Sequence, residues 1–227
     1  MARFAVTLAL VSSCCAAFPV FADSSVSGTL WLSSAARNAT TKQAPDAKSR
    51  QQGVNEGVVW IAKVPSRVEA RLAEPRRAWF GLKKQPEAPP LPSVAMREDR
   101  FTPRVVAVPA GSRIEFANSD RLYHSAFSVS GAKRFDLGKS PPGRRDTLSF
   151  ARAGVINLHC EIHPDAVGYV VVTPNRVYAK PDARGRFRLP RLPPGRYWLH
   201  AWHPQKGELE LPFDVPRRGA VVLNPTF

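Results

Sequence analysis

Cysteine is scarce in this chain, with Cys14, Cys15 and Cys160 the only three in 227 residues, and methionine is scarcer, with Met1 and Met96. No apolar run reaches the ~20 residues that a membrane-spanning helix needs. No stretch of useful length carries a helical period of apolar residues, which argues against an all-helical fold. Gly-x-Ser-x-Gly, a phosphate-binding glycine loop and His-Glu-x-x-His are also missing, so enzyme readings gain no support and the chain is expected not to be an enzyme. Acidic residues are few, 18 against 33 basic ones, for a net charge of +15. Such a balance raises nucleic acid as a partner. The arginines are spread through loops, however, and no nucleic-acid-binding motif is present. An anionic protein, a membrane surface or an acidic polymer fits better.

The first 22 residues, MARFAVTLALVSSCCAAFPVFA, hold one charge at Arg3, an apolar run over 4–11 and small residues ending in Val20-Phe21-Ala22. That pattern predicts a secretory signal peptide cleaved after Ala22, and hence a periplasmic or secreted protein. A lipobox-like reading, Val11-Ser12-Ser13-Cys14, would instead leave a lipid on Cys14, and a buried strand or helix is the bland reading. Loss of a leader with one arginine takes the charge from +15 to +14. It also leaves Cys160 as a solitary thiol in an oxidising compartment, where it needs either deep burial or a metal. Free cysteine does pack as a small hydrophobe, so burial alone is a real option.

Residues 25–32 (SVSGTLWL) and 57–63 (GVVWIAK) read as strands, joined by a polar stretch over 33–56. Ser66-x-x-Glu69 after Pro65 is a capping-box pattern and predicts a short helix ending before Pro75. Residues 81–92 (GLKKQPEAPPLP) read as a proline-rich linker. Short strand candidates follow over 104–108, 112–118, 126–130, 146–150, 155–160 and 169–173, separated by Gly, Pro, Asp or Ser. A second set covers 176–180, 185–189, 195–203, 208–215 and 220–224. Many short, punctuated strands predict an all-β sandwich or barrel. The last fifty or so residues are few for a lone domain and suggest docking onto the first.

Chemistry concentrates in Leu158-His159-Cys160-Glu161-Ile162-His163-Pro164, with His124 upstream. A thiolate and two imidazoles are a ligand set for copper or zinc. Alternation along an extended strand turns His159 away from Cys160. Cys160 and His163 converge if the chain turns between them, and Pro164 helps fix such a turn. Zinc usually wants a fourth strong ligand, which this cluster does not offer. Copper tolerates a trigonal His₂Cys set with a weak axial contact. A buried structural cysteine with surface histidines is the bland alternative. His200 and His203, beside Trp202 and Pro204, read as surface or packing residues before they read as a second metal site.

The stretch Pro109-x-Gly111-x-x-Ile114-x-Phe116-x-Asn118-Ser119-Asp120, then His124, then Cys160-x-x-His163-Pro164, resembles plastocyanin-like cupredoxins. Together with Ala132-Lys133-Arg134-Phe135-Asp136-Leu137-Gly138 it is most similar to the group often labelled methylamine-utilisation proteins. The resemblance runs from about Met96 onward, and residues 23–95 match only loosely. It implies a Greek-key cupredoxin β-sandwich, one-electron transfer at a type 1 copper ion held by His124, Cys160 and His163, and a redox partner protein. Asp182-x-x-Gly185-x-Phe187-x-Leu189-Pro190-x-Leu192-Pro193-Pro194-Gly195-x-Tyr197-x-Leu199 resembles carboxypeptidase-regulatory-like or transthyretin-like modules, implying a small second β-sandwich.

The expected organisation is therefore a signal peptide over 1–22, N-terminal strands and linker over 23–95 attached to the cupredoxin domain, a copper core over 96–174 and the small sandwich over 175–227. The basic charge suggests an acidic redox partner and leaves room for peripheral membrane contact. One position departs from the family pattern: an axial methionine would fall at residue 166, which is Ala166. A three-coordinate site capped by apolar residues such as Val167, a gap filled by water, a carbonyl or Glu161, and lost copper binding all remain open. The rival reading is a β-sandwich, copper-free or copper-carrying, that binds polysaccharide, a membrane surface or a partner protein.

Overall fold

Alternation with period two marks the described strands, as in Ser112–Asn118, where Ile114 and Phe116 are buried and Arg113 and Glu115 are not. The structure, a computed structural model, describes residues 23–32, 53–73 and 90–227. The expected leader with Cys14 and Cys15, residues 33–52 of the polar stretch and residues 81–89 of the proline-rich segment lie outside the described residues. In chain order the elements are β1 (Ser24–Thr29), a 3₁₀ turn (Val54–Glu56), β2 (Val58–Ile61), α1 (Ser66–Ala73), β3 (Ser93–Arg97), β4 (Arg100–Thr102), β5 (Val105–Pro109), β6 (Ser112–Asn118), β7 (His124–Ser128), β8 (Phe135–Ser140) and β9 (Arg145–Phe150). They continue with β10 (Gly154–His159), β11 (Val167–Thr173), β12 (Tyr178–Ala179), β13 (Arg186–Leu192), β14 (Gly195–His203), β15 (Gly207–Val215) and β16 (Ala220–Leu223). Among the described residues no helix is long and apolar enough to cross a membrane.

The fold is all-β and consists of two stacked sandwiches. One pairs the sheet β4-β3-β6-β9 with the sheet β5-β11-β10-β7-β8. Its order is that of a Greek key, with β3 parallel to β6 and β5 parallel to β11 while the remaining neighbours run antiparallel. Met96, Phe116, Phe150, Ile156, Leu158 and Val170 lie in its core. The second pairs β13-β1-β16 with β12-β2-β14-β15 around Val26, Leu30, Ile61, Leu192, Leu199 and Phe213. Pro190 and Pro212 are tolerated inside strands because β13 and β15 are both sheet edges.

Strand pairing corrects the expected attachment of residues 23–95. β3 does join the central sandwich, but β1 lies between β13 and β16, and β2 pairs with β12 and β14. The C-terminal strands alone cannot make two closed sheets, so the N-terminal strands fill the middle of each. The helix appears where expected, but Glu69 does not complete a capping box with Ser66. Val68 and Glu69 N–H groups donate to Pro65 C=O, and the Glu69 carboxylate accepts the Arg176 N–H at 3.2 Å.

Val58, Trp60 and Trp202 of the second sandwich pack on Val105, Val171 and Tyr169 of the first. Tyr169 and Trp202 meet edge-on with ring centroids 5.2 Å apart. Arg104 lies over the Tyr169 ring and pairs with Glu56 at 2.9 Å. Between β3 and β4 the hairpin turn is made by Glu98 and Asp99, both at positive φ (51° and 57°). Two-residue turns of this hand favour Asn-Gly or Asp-Gly, so a turn without glycine carries backbone strain.

Candidate metal centre

Three donors gather at one end of the central sandwich. His124 opens β7, and Cys160 follows the last residue of β10. The loop then turns, with the Ala166 N–H donating to the His163 C=O at 2.9 Å, before β11 begins at Val167. That turn carries His163 back over Cys160. His159, one residue earlier, packs against Phe127 with ring centroids 5.6 Å apart. His124 and Cys160 are buried, while the His163 side chain is 23% exposed.

The Nδ1 atoms of His124 and His163 lie 3.0 Å apart, and Cys160 Sγ is 3.8 Å from His163 Nδ1. All three donor atoms fall within 4.8 Å of one another. Metal bonds of about 2.0 Å to nitrogen and 2.3 Å to sulfur would space a trigonal set at roughly 3.5 and 3.7 Å, close to these separations.

The outer nitrogens explain why the inner ones are bare. His124 Nε2 lies 3.2 Å from Asp120 Oδ2, and His163 Nε2 lies 3.1 Å from Asp99 Oδ1. An ionised carboxylate can only accept, so each Nε2 carries the hydrogen and donates it. A ring held this way turns its Nδ1 lone pair inward, and the two Nδ1 atoms face each other beside sulfur. Such an arrangement is repulsive until a proton or a cation lies between them. The donor set therefore fits a metal ion.

Electrostatics around the sulfur point the same way. Burial alone would push the Cys160 thiol up, but the N–H groups of Ser125, at 3.4 Å, and of His163 outweigh it, with the two histidine side chains adding when a proton sits at Nδ1, and bring the thiol down to about 6. A thiol depressed in this way favours the thiolate, the form that binds metal. Asp120 is held below the usual carboxylate range, first by the Arg121 N–H and also by His124.

Asn118, the last residue of β6, fixes the loop before His124. Its Nδ2 donates to the C=O groups of Leu122 and Ser140, both at 2.8 Å, and its Oδ1 accepts the Asp120 N–H. Ser125 Oγ accepts the Glu161 N–H at 2.9 Å and so ties the segments after His124 and Cys160 together. Ala166 is buried in the apolar cluster that contains Cys160, Met96 and Phe101. A cavity of about 20 Å³ lies on the inner side of His124, bordered by Met96, Phe101, Phe116 and Leu137.

Sequence reasoning missed Asp99, Asp120 and Ser125. Asp120 and Ser125 sit close to His124 in the chain and could have been suspected as its supports. Asp99 had no such signal, because it arrives from the tip of another sheet's hairpin. Among the described residues the groups able to hold a metal are His124–Cys160–His163 and Asp99–Asp120–His124, and neither includes His200 or His203. His200 stacks on Trp60 and pairs with Glu210 at 3.1 Å. His203 is buried, with Nε2 3.0 Å from Gly53 C=O and Nδ1 accepting the Gln205 N–H.

No protein-family model matches the sequence, and no curated protein matches it. Among solved structures, an amicyanin variant with Cu(I) is similar over 36% of this chain and 81% of its own, at 24% identity and a TM-score of 0.34. A purple cupredoxin from Nitrosopumilus maritimus is similar over 36% of this chain and 99% of its own, at 22% identity and a TM-score of 0.33. A copper-containing nitrite reductase from Thermus scotoductus SA-01 shares 27% identity over 46% of this chain and only 26% of its own, with a TM-score of 0.38. The resemblance to regulatory-like modules in the second sandwich has no counterpart among these structures.

Proposed function

We propose that this chain is an exported mononuclear copper protein for one-electron transfer, with a type 1-like site made by His124, Cys160 and His163 and without an axial methionine. One observation carries the reading: two imidazole nitrogens and a cysteine sulfur converge, while carboxylates hold both outer nitrogens. Three strong donors and no fourth suit copper better than structural zinc. A copper ion held there would supply a Cu(II)/Cu(I) couple. The chain's own contribution is to fix the three donors before the ion arrives. Ser125 bonds the sulfur and Asn118 braces the loop before His124, so little rearrangement is left to either oxidation state.

His163 is the ligand nearest solvent, and exposed Leu122, Tyr123 and Ile162 lie beside ligands in sequence. An apolar rim of this kind suits brief docking of a redox partner, and the basic charge of the chain favours an acidic one. The division we propose is a copper sandwich over 93–173 and a second sandwich built from β1, β2, α1 and β12–β16. Periplasmic or secreted location rests on the leader pattern alone. N-terminal sequencing of the exported protein should begin at Asp23, and an acylated Cys14 would replace that with a lipid-anchored form.

Titration with Cu(II) under visible spectroscopy tests the function. One equivalent should bind with an intense sulfur-to-copper band, which Cys160→Ala abolishes. His124→Ala should weaken binding, and His200→Ala should not. A chain that stays colourless and metal-free would leave a non-redox β-sandwich that binds a polymer, a membrane surface or another protein.

A further inference from the structure

The tip of the β3–β4 hairpin lies over the outer edge of the metal centre, in a conformation its residues do not favour. Glu98 and Asp99 both occupy the left-handed region, where glycine is at ease, Asn and Asp are tolerated, and a longer side chain such as that of Glu98 is not favoured. In return the tip makes two bonds. Asp99 Oδ1 accepts the His163 Nε2–H at 3.1 Å, and the Asp99 N–H reaches Asp120 Oδ2 at 3.4 Å. Asp120 in turn holds His124 Nε2. One strained turn thus joins the outer nitrogens of both histidines through a carboxylate pair. Arg97 and Arg100 are opposite each other in the strand register next to the tip.

Resting on the copper reading above, we propose that Asp99 is a positioning residue that clasps His163 from the opposite sheet, fixes its Nδ1 as the donor and biases the site toward Cu(II). The physical reasons act in one direction. A carboxylate on the Nε2 hydrogen makes the ring a stronger donor at Nδ1. Its negative charge also stabilises the more highly charged oxidation state. Asp99 is 52% exposed, so solvent screens this charge more than that of Asp120, which is 19% exposed. The bond itself is therefore expected to matter for retention, and the charge for the potential.

Two substitutions separate the roles. Asp99→Asn keeps an acceptor oxygen, suits the turn and removes the charge. Copper stoichiometry should hold and the reduction potential should shift upward. Asp99→Gly removes the acceptor and relieves the backbone. The apoprotein should become more stable, while copper release to a chelator becomes about tenfold faster, the low end of what loss of an outer partner usually costs. A residue needed only to shape the turn would show the stability gain with no change in potential or release, and that result overturns the proposal. A separate readout needs no copper: nitrogen-resolved NMR of the full-length apoprotein should find His163 as the Nε2–H tautomer. If the wild-type chain takes up no copper, the proposed function fails, and the tautomer alone then decides the clasp. An Nδ1–H tautomer would sink it.

Discussion

A thiolate beside two imidazole rings is costly to assemble before a cation arrives, and the folded chain meets that cost with hydrogen bonds. The N–H groups of Ser125 and His163, helped by the histidine rings when a proton sits at Nδ1, hold the Cys160 thiol at about 6, against 9.0 when it is free. Between those values the unfolded chain binds one more proton than the folded chain, so stability rises with pH. The contribution is lost as pH falls through about 6 and is complete above about 9. Three units correspond to an upper bound of about 4 kcal/mol. Denaturant unfolding of the apoprotein at pH 5.5 and 8.5 should show greater stability at the higher pH, and Cys160→Ala should flatten much of the difference. Equal slopes in the two proteins would mean that the folded thiol is not depressed.

Ala166 belongs to the same scale. It is buried among apolar residues, with Met96 and Phe101 in the same cluster, so the surroundings favour a dry site. Cu(II) gains more from an added donor than Cu(I), which makes do with three ligands. Ala166→Met should therefore lower the potential, at a packing cost of about 1–3 kcal/mol because the extra side chain has little room. Voltammetry of the two copper-loaded proteins checks this. A rise would mean that an oxygen donor already occupied the site, and no change would mean that residue 166 does not face the metal.

At the scale of elements, the β3–β4 hairpin is where sequence reasoning fell short. Its turn is Glu98-Asp99, with neither glycine nor asparagine to announce it, so neither strand was expected. Glu98, at φ 51°, has no side-chain hydrogen bond or ion pair among the described residues comparable to that of Asp99 with His163. Glu98→Gly should thus stabilise the protein by about 1 kcal/mol, read as a higher midpoint in denaturant, without moving the copper spectrum. By contrast, Ile114 and Phe116 in β6 and Tyr197, Leu199 and Ala201 in β14 alternated clearly enough to be read directly. The proximity of Cys160 and His163 was legible for a related reason. Both follow the end of β10 within one short loop, and local spacing is what a sequence displays. Asp99 reaches His163 from 64 positions earlier, and β1 reaches β13 and β16 from the far end of the chain. Such partners are fixed by sheet order, which alternation does not encode.

For the whole molecule, the decisive fact is that the two sandwiches are unequal in sequence continuity. The strands of the first run without interruption from β3 to β11 and carry all three proposed ligands, whereas the second needs β1 and β2 from before it and β12–β16 from after it. Residues 90–174 produced alone should therefore fold and still take up one copper. They would also bare Val105, Val171 and Tyr169, which Val58, Trp60 and Trp202 cover in the full chain. Light scattering should find this fragment self-associating, since the exposed strip is apolar and lies on an open sheet face. A chain ending at 174 but keeping β1 and β2 should behave worse, because those strands would lose every partner they have among the described residues. Within the full protein, Trp202→Ala should cost about 3–5 kcal/mol and broaden or split the unfolding transition. If instead residues 90–174 are monomeric and Trp202→Ala unfolds in one unchanged step, the sandwiches merely touch, and the second contributes nothing to holding the copper domain.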